Sequence, residues 1–229
     1  MKKQELIDLV ESFRYRVKIV ACYRRLYSEY CENFNTLSDG INMTPAFWFT
    51  TSRAYVHAMM TDLSKLYDSA SNVYGVEHLL ELCAKNQSLF EEKELPDGER
   101  YVTDEEMAEF LAASDDEKTT PCTDNRHFLD SLNEKYNQKS QQRNNLRLQR
   151  NKLWAHNDSK NFLNPSAFEE KNLLTWADID DLIDLLIDIS NTLLNHLGKE
   201  VSGIYPANID DIQIVMNTMQ KQARENNHG

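Results

Sequence analysis

The stretch RNKLWAHND places three side chains that could work together on a phosphate close to one another in the chain. Arg150 could pair with phosphate oxygens and offset their negative charge. Asn151 could orient either that guanidinium or the phosphate. His156 could move a proton, because an imidazole titrates near neutral pH. These are the candidate catalytic residues, although a structural role stays open in which His156 caps a helix C-terminus and Arg150 pairs with an acid.

A stripe of basic residues precedes this motif on the same predicted helix. It consists of Lys135, Lys139, Arg143, Arg147 and Arg150, at helical steps of four and then three. Like charges at this spacing repel each other by roughly a few tenths of a kcal/mol per pair, and no acid interrupts the series. The stripe therefore predicts an anionic partner, which is either phosphate or an acidic face of a second copy of this protein, with a plain solvated face as the third possibility. If the partner is RNA, the binding residues are Lys135, Lys139, Arg143, Arg147 and Lys152.

The interval from Arg150 to His156 is weak evidence when taken alone, because an arginine followed four to six residues later by a histidine is expected about once by chance at this composition. In an ideal helix the two residues would also lie about 120° apart. We therefore expect the helix to end or distort between them, or a second subunit to complete the site. Lys152 shares the face of His156 more closely and is a supplementary phosphate contact.

Long helices must position these residues. Apolar residues recur three and four apart, and the chain of 229 residues has only six Gly and five Pro, which predicts an all-α antiparallel bundle of about four or five helices. Helices are expected at about 4–34, 44–68, 76–88, 124–155 and 175–197, with one more after Pro206. Thr44-Pro45 and Thr175 are the expected helix starts. The whole chain, 1–229, is predicted to be one domain with a flexible tail from about 222.

Residues 94–125 differ in character from the bundle and are predicted to be an acidic, partly ordered insertion with one short helix, opened by a capping box of Thr103 and Glu106. Between Asp104 and Glu117 there are seven acids and no base. A net charge of -12 ordinarily counts against a nucleic-acid partner. Here the acids are concentrated in the insertion and at 178–188, whereas the bases are concentrated in the stripe.

Several classes of site and location are disfavoured by the sequence. No signal peptide and no run of about 20 apolar residues is present, so we expect a cytoplasmic protein with no membrane contact. The four cysteines have no zinc-binding spacing. Asp178, Asp180 and Asp181 suit the first turns of a helix without any ion, and the further aspartates up to Asp188 suit a solvated acidic face. No metal and no cofactor are therefore predicted.

The string RNKLWAHND, and more weakly LSKLYDSAS at Leu63 to Ser71, resemble the HEPN superfamily in its abortive-infection branch (Abi U-type). The resemblance implies a HEPN-like bundle that acts as a homodimeric, metal-independent endoribonuclease, often a toxin or antiphage effector. Arg150 would then stabilise the charge on the phosphorane. His156 would act as general base or acid on the ribose 2′-hydroxyl or the leaving 5′-oxygen. It also implies an RNA substrate and an antitoxin or regulatory protein partner. A related group carries a tyrosine for nucleotide modification where this chain has Asn157, so that mode of neutralisation is not predicted.

Two alternatives remain from the sequence. The first is a non-catalytic HEPN-like module that binds RNA, nucleotide or a partner protein without cutting. The second is an inhibitor or antitoxin whose acidic surface mimics nucleic acid.

Overall fold

The computed structural model describes residues 1–70, 73–90, 125–151, 173–205 and 211–228. The prediction of an all-α fold is confirmed, because the described residues form eight α-helices and one short 3₁₀ helix and contain no strand. The α-helices are α1 (Lys3–Asn33), α2 (Ser38–Met43), α3 (Pro45–Leu66), α4 (Val76–Lys85), α5 (Asn125–Gln138), α6 (Ser140–Gln149), α7 (Trp176–His196) and α8 (Asp211–His228). Within these ranges, no helix combines the length and the apolar character that crossing a membrane requires.

Helix α1 is the centre of the bundle and packs against both α3 and α7. Its buried stripe repeats at helical spacing and comprises Leu6, Val10, Phe13, Val17 and Val20. Arg24 of α1 forms a two-pronged ion pair with Asp180 of α7, at 2.6 and 2.8 Å. Nearer the start of α1, Arg14 Nε donates to Asn191 Oδ1 at 2.8 Å. Residue numbers rise along α1 as they fall along α7, so the two helices are antiparallel.

The two predicted helix starts are observed, although the Thr44 hydroxyl makes no capping hydrogen bond. Pro45 is the first residue of α3, where its fixed φ suits the helix and its missing N–H costs no hydrogen bond. Thr175 caps α7: its hydroxyl accepts a hydrogen bond from the backbone N–H of Asp178 at 3.1 Å, and the Asp178 carboxylate accepts one from the backbone N–H of Thr175 at 2.9 Å. This reciprocal capping box fixes where α7 begins.

Two segments differ from the sequence prediction. The segment SDGINM, which lies between the first two predicted helices, forms α2, and α8 continues to His228, beyond the start of the predicted flexible tail at about 222. Ala223 is buried, and Met216 of α8 packs with Ile41 and Trp48 in a second, smaller core. Gly40 permits the close approach of α2 to α8, because a Cβ there would lie 2.6 Å from the backbone nitrogen of Gln220.

The helix predicted over 124–155 is interrupted at Lys139, which separates α5 from α6. Lys139 pairs with Asp181 of α7 at 2.5 Å, and Lys135 pairs with Asp188 at 2.8 Å. The basic stripe is therefore divided: its two lysines lie against the aspartates of α7, and its arginines follow on a separate helix. The predicted insertion at 94–125 and its short helix lie outside the described residues, apart from Asn125 at the start of α5.

Candidate functional site

The arginines of α6 converge on a cleft of about 240 Å³ between α6, α5 and the ends of α3 and α4. Arg143, Arg147 and Arg150 line it from one side of α6, because steps of four and three residues keep side chains on one helical face. The opposite wall carries Asp68, just beyond α3, and Glu77 of α4. Three cations and two carboxylates thus face the cleft in the part of the chain that the structure describes, so its charge is positive in a strongly acidic protein.

Arg150 lies between two oxygen acceptors at the rim of this cleft. Its Nη1 is 3.8 Å from Asp68 Oδ2 and donates a hydrogen bond to Asn151 Oδ1 at 3.2 Å. Asp68 is itself held, since its Oδ1 accepts from the backbone N–H of Ala70 at 3.0 Å. Arg150 and Asp68 are only 31% and 28% exposed. A distance of 3.8 Å is an ion pair without a full hydrogen bond, which leaves Arg150 donors available to a ligand.

The backbone changes geometry at the motif. Regular α-helix ends at Gln149, and Arg150 and Asn151 form a wider turn of π-helical geometry. Turns of this kind are rare and occur frequently at functional sites. Ideal α-helical geometry, on which the separation of about 120° between Arg150 and His156 was based, is therefore already lost at Arg150 and Asn151, and His156 lies outside the described residues.

Two buried tyrosines form the floor of the cleft. Tyr67 donates a hydrogen bond to the carbonyl of Leu182 at 2.7 Å and stacks on Tyr136 with ring centroids 6.4 Å apart. The Arg143 Cζ lies 3.6 Å above the centre of the Tyr136 ring, a close cation-π contact. Burial raises the pKa of Tyr136 to about 12, although the nearby Arg143 charge opposes the rise. The Tyr136 hydroxyl is therefore protonated at neutral pH.

The structure brings together four of the residues proposed from sequence: Arg143, Arg147, Arg150 and Asn151 all line the cleft. It places Lys135 and Lys139 elsewhere, in ion pairs with α7. The other two proposed residues, Lys152 and His156, lie outside the described residues.

Sequence reasoning missed the Tyr67–Tyr136 floor and the roles of Asp68 and Glu77. The sequence carried one usable signal, because Tyr136 and Arg143 are seven residues apart and two helical turns bring such residues onto one face. Asp68 was part of the weaker motif LSKLYDSAS, but no pairing with Arg150 was predicted. That ion pair joins the two motifs in space.

Three aspartates of α7 contact basic side chains. Among the residues that the structure describes, no three His, Cys, Asp or Glu side chains are grouped so that they could hold a metal ion. Asp180, Asp181 and Asp188 instead pair with Arg24, Lys139 and Lys135. The pKa of Asp184, which lies between them, is raised by burial and by the charges of Asp180 and Asp181.

The family model HEPN_AbiU2 (AbiU2) matches residues 3–218, from the first residue of α1 into α8, and includes both motifs. The chain belongs to the AbiU2 family. The resemblance predicted from the motifs is thereby confirmed, and this AbiU2 protein is a HEPN module related to abortive infection. No curated protein and no solved structure matches the chain significantly.

Proposed function

We propose that this AbiU2 protein is a metal-independent endoribonuclease, acting as a toxin or abortive-infection effector, and that the Arg150 cleft is its active site. The observation that carries the proposal is the ion pair of Arg150 with Asp68, which fixes a guanidinium at the rim of a cleft also lined by Arg143 and Arg147. Family membership supports a HEPN module, and the arginines supply the cationic surface that a phosphodiester needs.

In the proposed reaction, the 2′-oxygen of a ribose attacks the neighbouring phosphorus while the bond from phosphorus to the 5′-oxygen breaks. Arg150 binds the nonbridging oxygens and offsets the negative charge that builds on them. His156 either takes the proton of the 2′-hydroxyl while water protonates the leaving 5′-oxygen, or protonates the leaving 5′-oxygen while water takes the proton of the 2′-hydroxyl. The products are a 2′,3′-cyclic phosphate and a 5′-hydroxyl.

The roles of the neighbouring residues follow from their contacts. Asp68 and Asn151 restrict the Arg150 side chain before substrate arrives, which reduces the ordering cost of binding.

We further propose that the chain acts as a homodimer, in which a second copy could bring its own His156 to the cleft. An antitoxin or regulatory protein would restrain the activity in the cell.

The proposal is tested with the purified full chain, total RNA and EDTA. We expect Arg150→Ala and His156→Ala each to lower the cleavage rate roughly 100-fold or more, because each removes a group that acts in the transition state. Arg224→Ala is the matched control, since Arg224 is an exposed arginine on α8, away from the cleft lining. Circular dichroism checks that each variant is folded.

Two results would contradict the proposal: RNA that stays intact at high protein concentration, or cleavage that survives both substitutions. RNA that is bound in an Arg150-dependent way but never cut would instead support the non-catalytic HEPN-like module.

A further inference from the structure

Two buried polar atoms at the floor of the cleft complete no hydrogen bond among the described residues: the hydroxyl of Tyr136 and the Nε of Arg143. Tyr136 is only 4% exposed. Its hydroxyl lies close to the Glu77 carboxylate and the Arg143 guanidinium, yet forms a well-aligned hydrogen bond with neither. Buried polar atoms without partners are uncommon in folded proteins, because each loses its bonds to water. Both residues line the cleft, so a ligand there can supply the missing acceptor.

Both groups are hydrogen-bond donors. The Tyr136 hydroxyl keeps its proton at neutral pH, since its pKa is raised to about 12, and a guanidinium can only donate. The Arg143 guanidinium is also held in place before any ligand arrives, because its Cζ lies 3.6 Å above the centre of the Tyr136 ring, which in turn stacks on Tyr67, whose hydroxyl is hydrogen-bonded to Leu182. A preorganised cation beside a neutral donor suits an anionic oxygen acceptor such as a phosphate.

Arg143 and Arg150 are separated by seven residues of chain. The corresponding rise along a helix is about 10 Å, so the two backbone positions are far enough apart for each side chain to hold a phosphate of its own. The two arginines therefore suit two different phosphates.

We propose that Tyr136 and Arg143 form a second phosphate subsite, which binds the RNA phosphate adjacent to the one held by Arg150. The inference rests on the proposed function, and it makes the substrate a single strand that extends at least one nucleotide beyond the cleaved bond.

The test measures binding rather than cleavage. Fluorescence anisotropy compares 2′-O-methyl dinucleotides and trinucleotides, which cannot be cut and which carry one and two internal phosphates. The wild-type chain should bind the trinucleotide roughly tenfold more tightly, as one additional charge-assisted contact predicts. Tyr136→Phe and Arg143→Gln should each reduce this ratio to about threefold or less. Tyr136→Phe keeps the ring under Arg143, so its effect reports the hydroxyl. Arg224→Gln is the matched control and should retain the wild-type ratio.

A wild-type ratio in either Tyr136→Phe or Arg143→Gln would overturn the inference. So would competition by AMP that removes dinucleotide and trinucleotide binding equally at micromolar concentration, since that would indicate a site for free mononucleotides. The outcome is separate from that of the proposed function. Length-dependent binding without any cleavage would refute the nuclease and retain the subsite. Cleavage together with a wild-type affinity ratio in the variants would retain the nuclease and refute the subsite.

Discussion

At the scale of single residues, the contact of Arg150 with Asp68 is loose enough to leave hydrogen-bond donors of Arg150 available to a ligand. A guanidinium with a close, two-pronged carboxylate partner, as in Arg24 with Asp180, has few donors left for a ligand. Arg150 has its carboxylate at 3.8 Å and one hydrogen bond to Asn151. Asp68 therefore restrains Arg150 without neutralising its hydrogen-bonding capacity, and we assign Asp68 as a positioning residue.

Replacing Asp68 with asparagine tests that assignment. Asp68→Asn keeps the size of the side chain but removes the charge that restrains Arg150, so we expect the single-turnover cleavage rate to fall roughly tenfold. RNA affinity should not weaken, because a negative charge next to the phosphate site is also removed. Rapid-quench kinetics and anisotropy on the same variant measure the two effects. An equal loss of rate and affinity would show that Asp68 acts on substrate binding instead.

The residue types of the cleft were partly predictable from sequence. Arg143, Arg147 and Arg150 followed from helical spacing, which is a local property of the chain. The partner of Arg150 was not predictable, because Asp68 lies more than 80 residues earlier in the chain and such contacts depend on tertiary packing. The same holds for Lys135 and Lys139, whose acidic partners are the aspartates of α7 in this same chain.

At the scale of elements, the interruption at Lys139 decides which bases remain available. Lys135 on α5 and Lys139 at the break pair with aspartates of α7, whereas α6 takes its arginines to the ends of α3 and α4. The sequence at the break contains neither proline nor glycine, the usual signals for a helix end. A continuous helix was therefore the natural prediction, and the ion pairs with α7 are the tertiary contacts that accompany the break.

The start of α7 offers a test of the capping box. Thr175→Ala removes the hydroxyl that caps the helix, and we expect a loss of about 1 kcal/mol in the free energy of unfolding at pH 7. Hydrogen bonds from Thr175 lower the pKa of Asp178. NMR titration should show that pKa rising in the variant, with urea denaturation measuring stability. Thr218→Ala is the control, because the exposed Thr218 hydroxyl bonds only to a carbonyl of its own helix.

The contribution of Asp178 to the free energy of unfolding depends on pH with a definite sign. A carboxylate whose pKa is lower in the folded chain stabilises the fold above its unfolded pKa, and that contribution is lost as the pH falls through the folded pKa. The stability difference between wild type and Thr175→Ala should therefore shrink on acidification. A difference that is constant from neutral pH to pH 2 would contradict the role of Asp178 in the cap.

At the scale of the whole molecule, charge is segregated despite the net value of -12. Three acids of α7 pair with bases of α1, α5 and the break at Lys139, and the arginines of α6 face the cleft. A phosphate therefore meets a local positive field in a protein whose overall field repels it. This arrangement favours binding at the cleft over binding elsewhere on the surface.

The helical class was predictable from the sequence because apolar residues that become buried recur three and four apart along α1, α3 and α7. The short α2 and the full length of α8 were missed for a different reason. Their stability comes from packing against each other, with Gly40 allowing the backbone of α8 to approach. Contacts between two distant segments cannot be predicted from the sequence of either segment alone.

The most direct test of the central claim is the chemistry of the RNA ends. A defined single-stranded RNA is incubated with the full chain in EDTA, and the fragments are analysed by mass spectrometry. The nuclease proposed here must leave 2′,3′-cyclic phosphate and 5′-hydroxyl ends, because the 2′-oxygen is the nucleophile, and an RNA with 2′-deoxy nucleotides at the cleaved positions must stay intact. Fragments with 5′-phosphate ends, or cleavage of the 2′-deoxy substrate at the same bonds, would contradict the account.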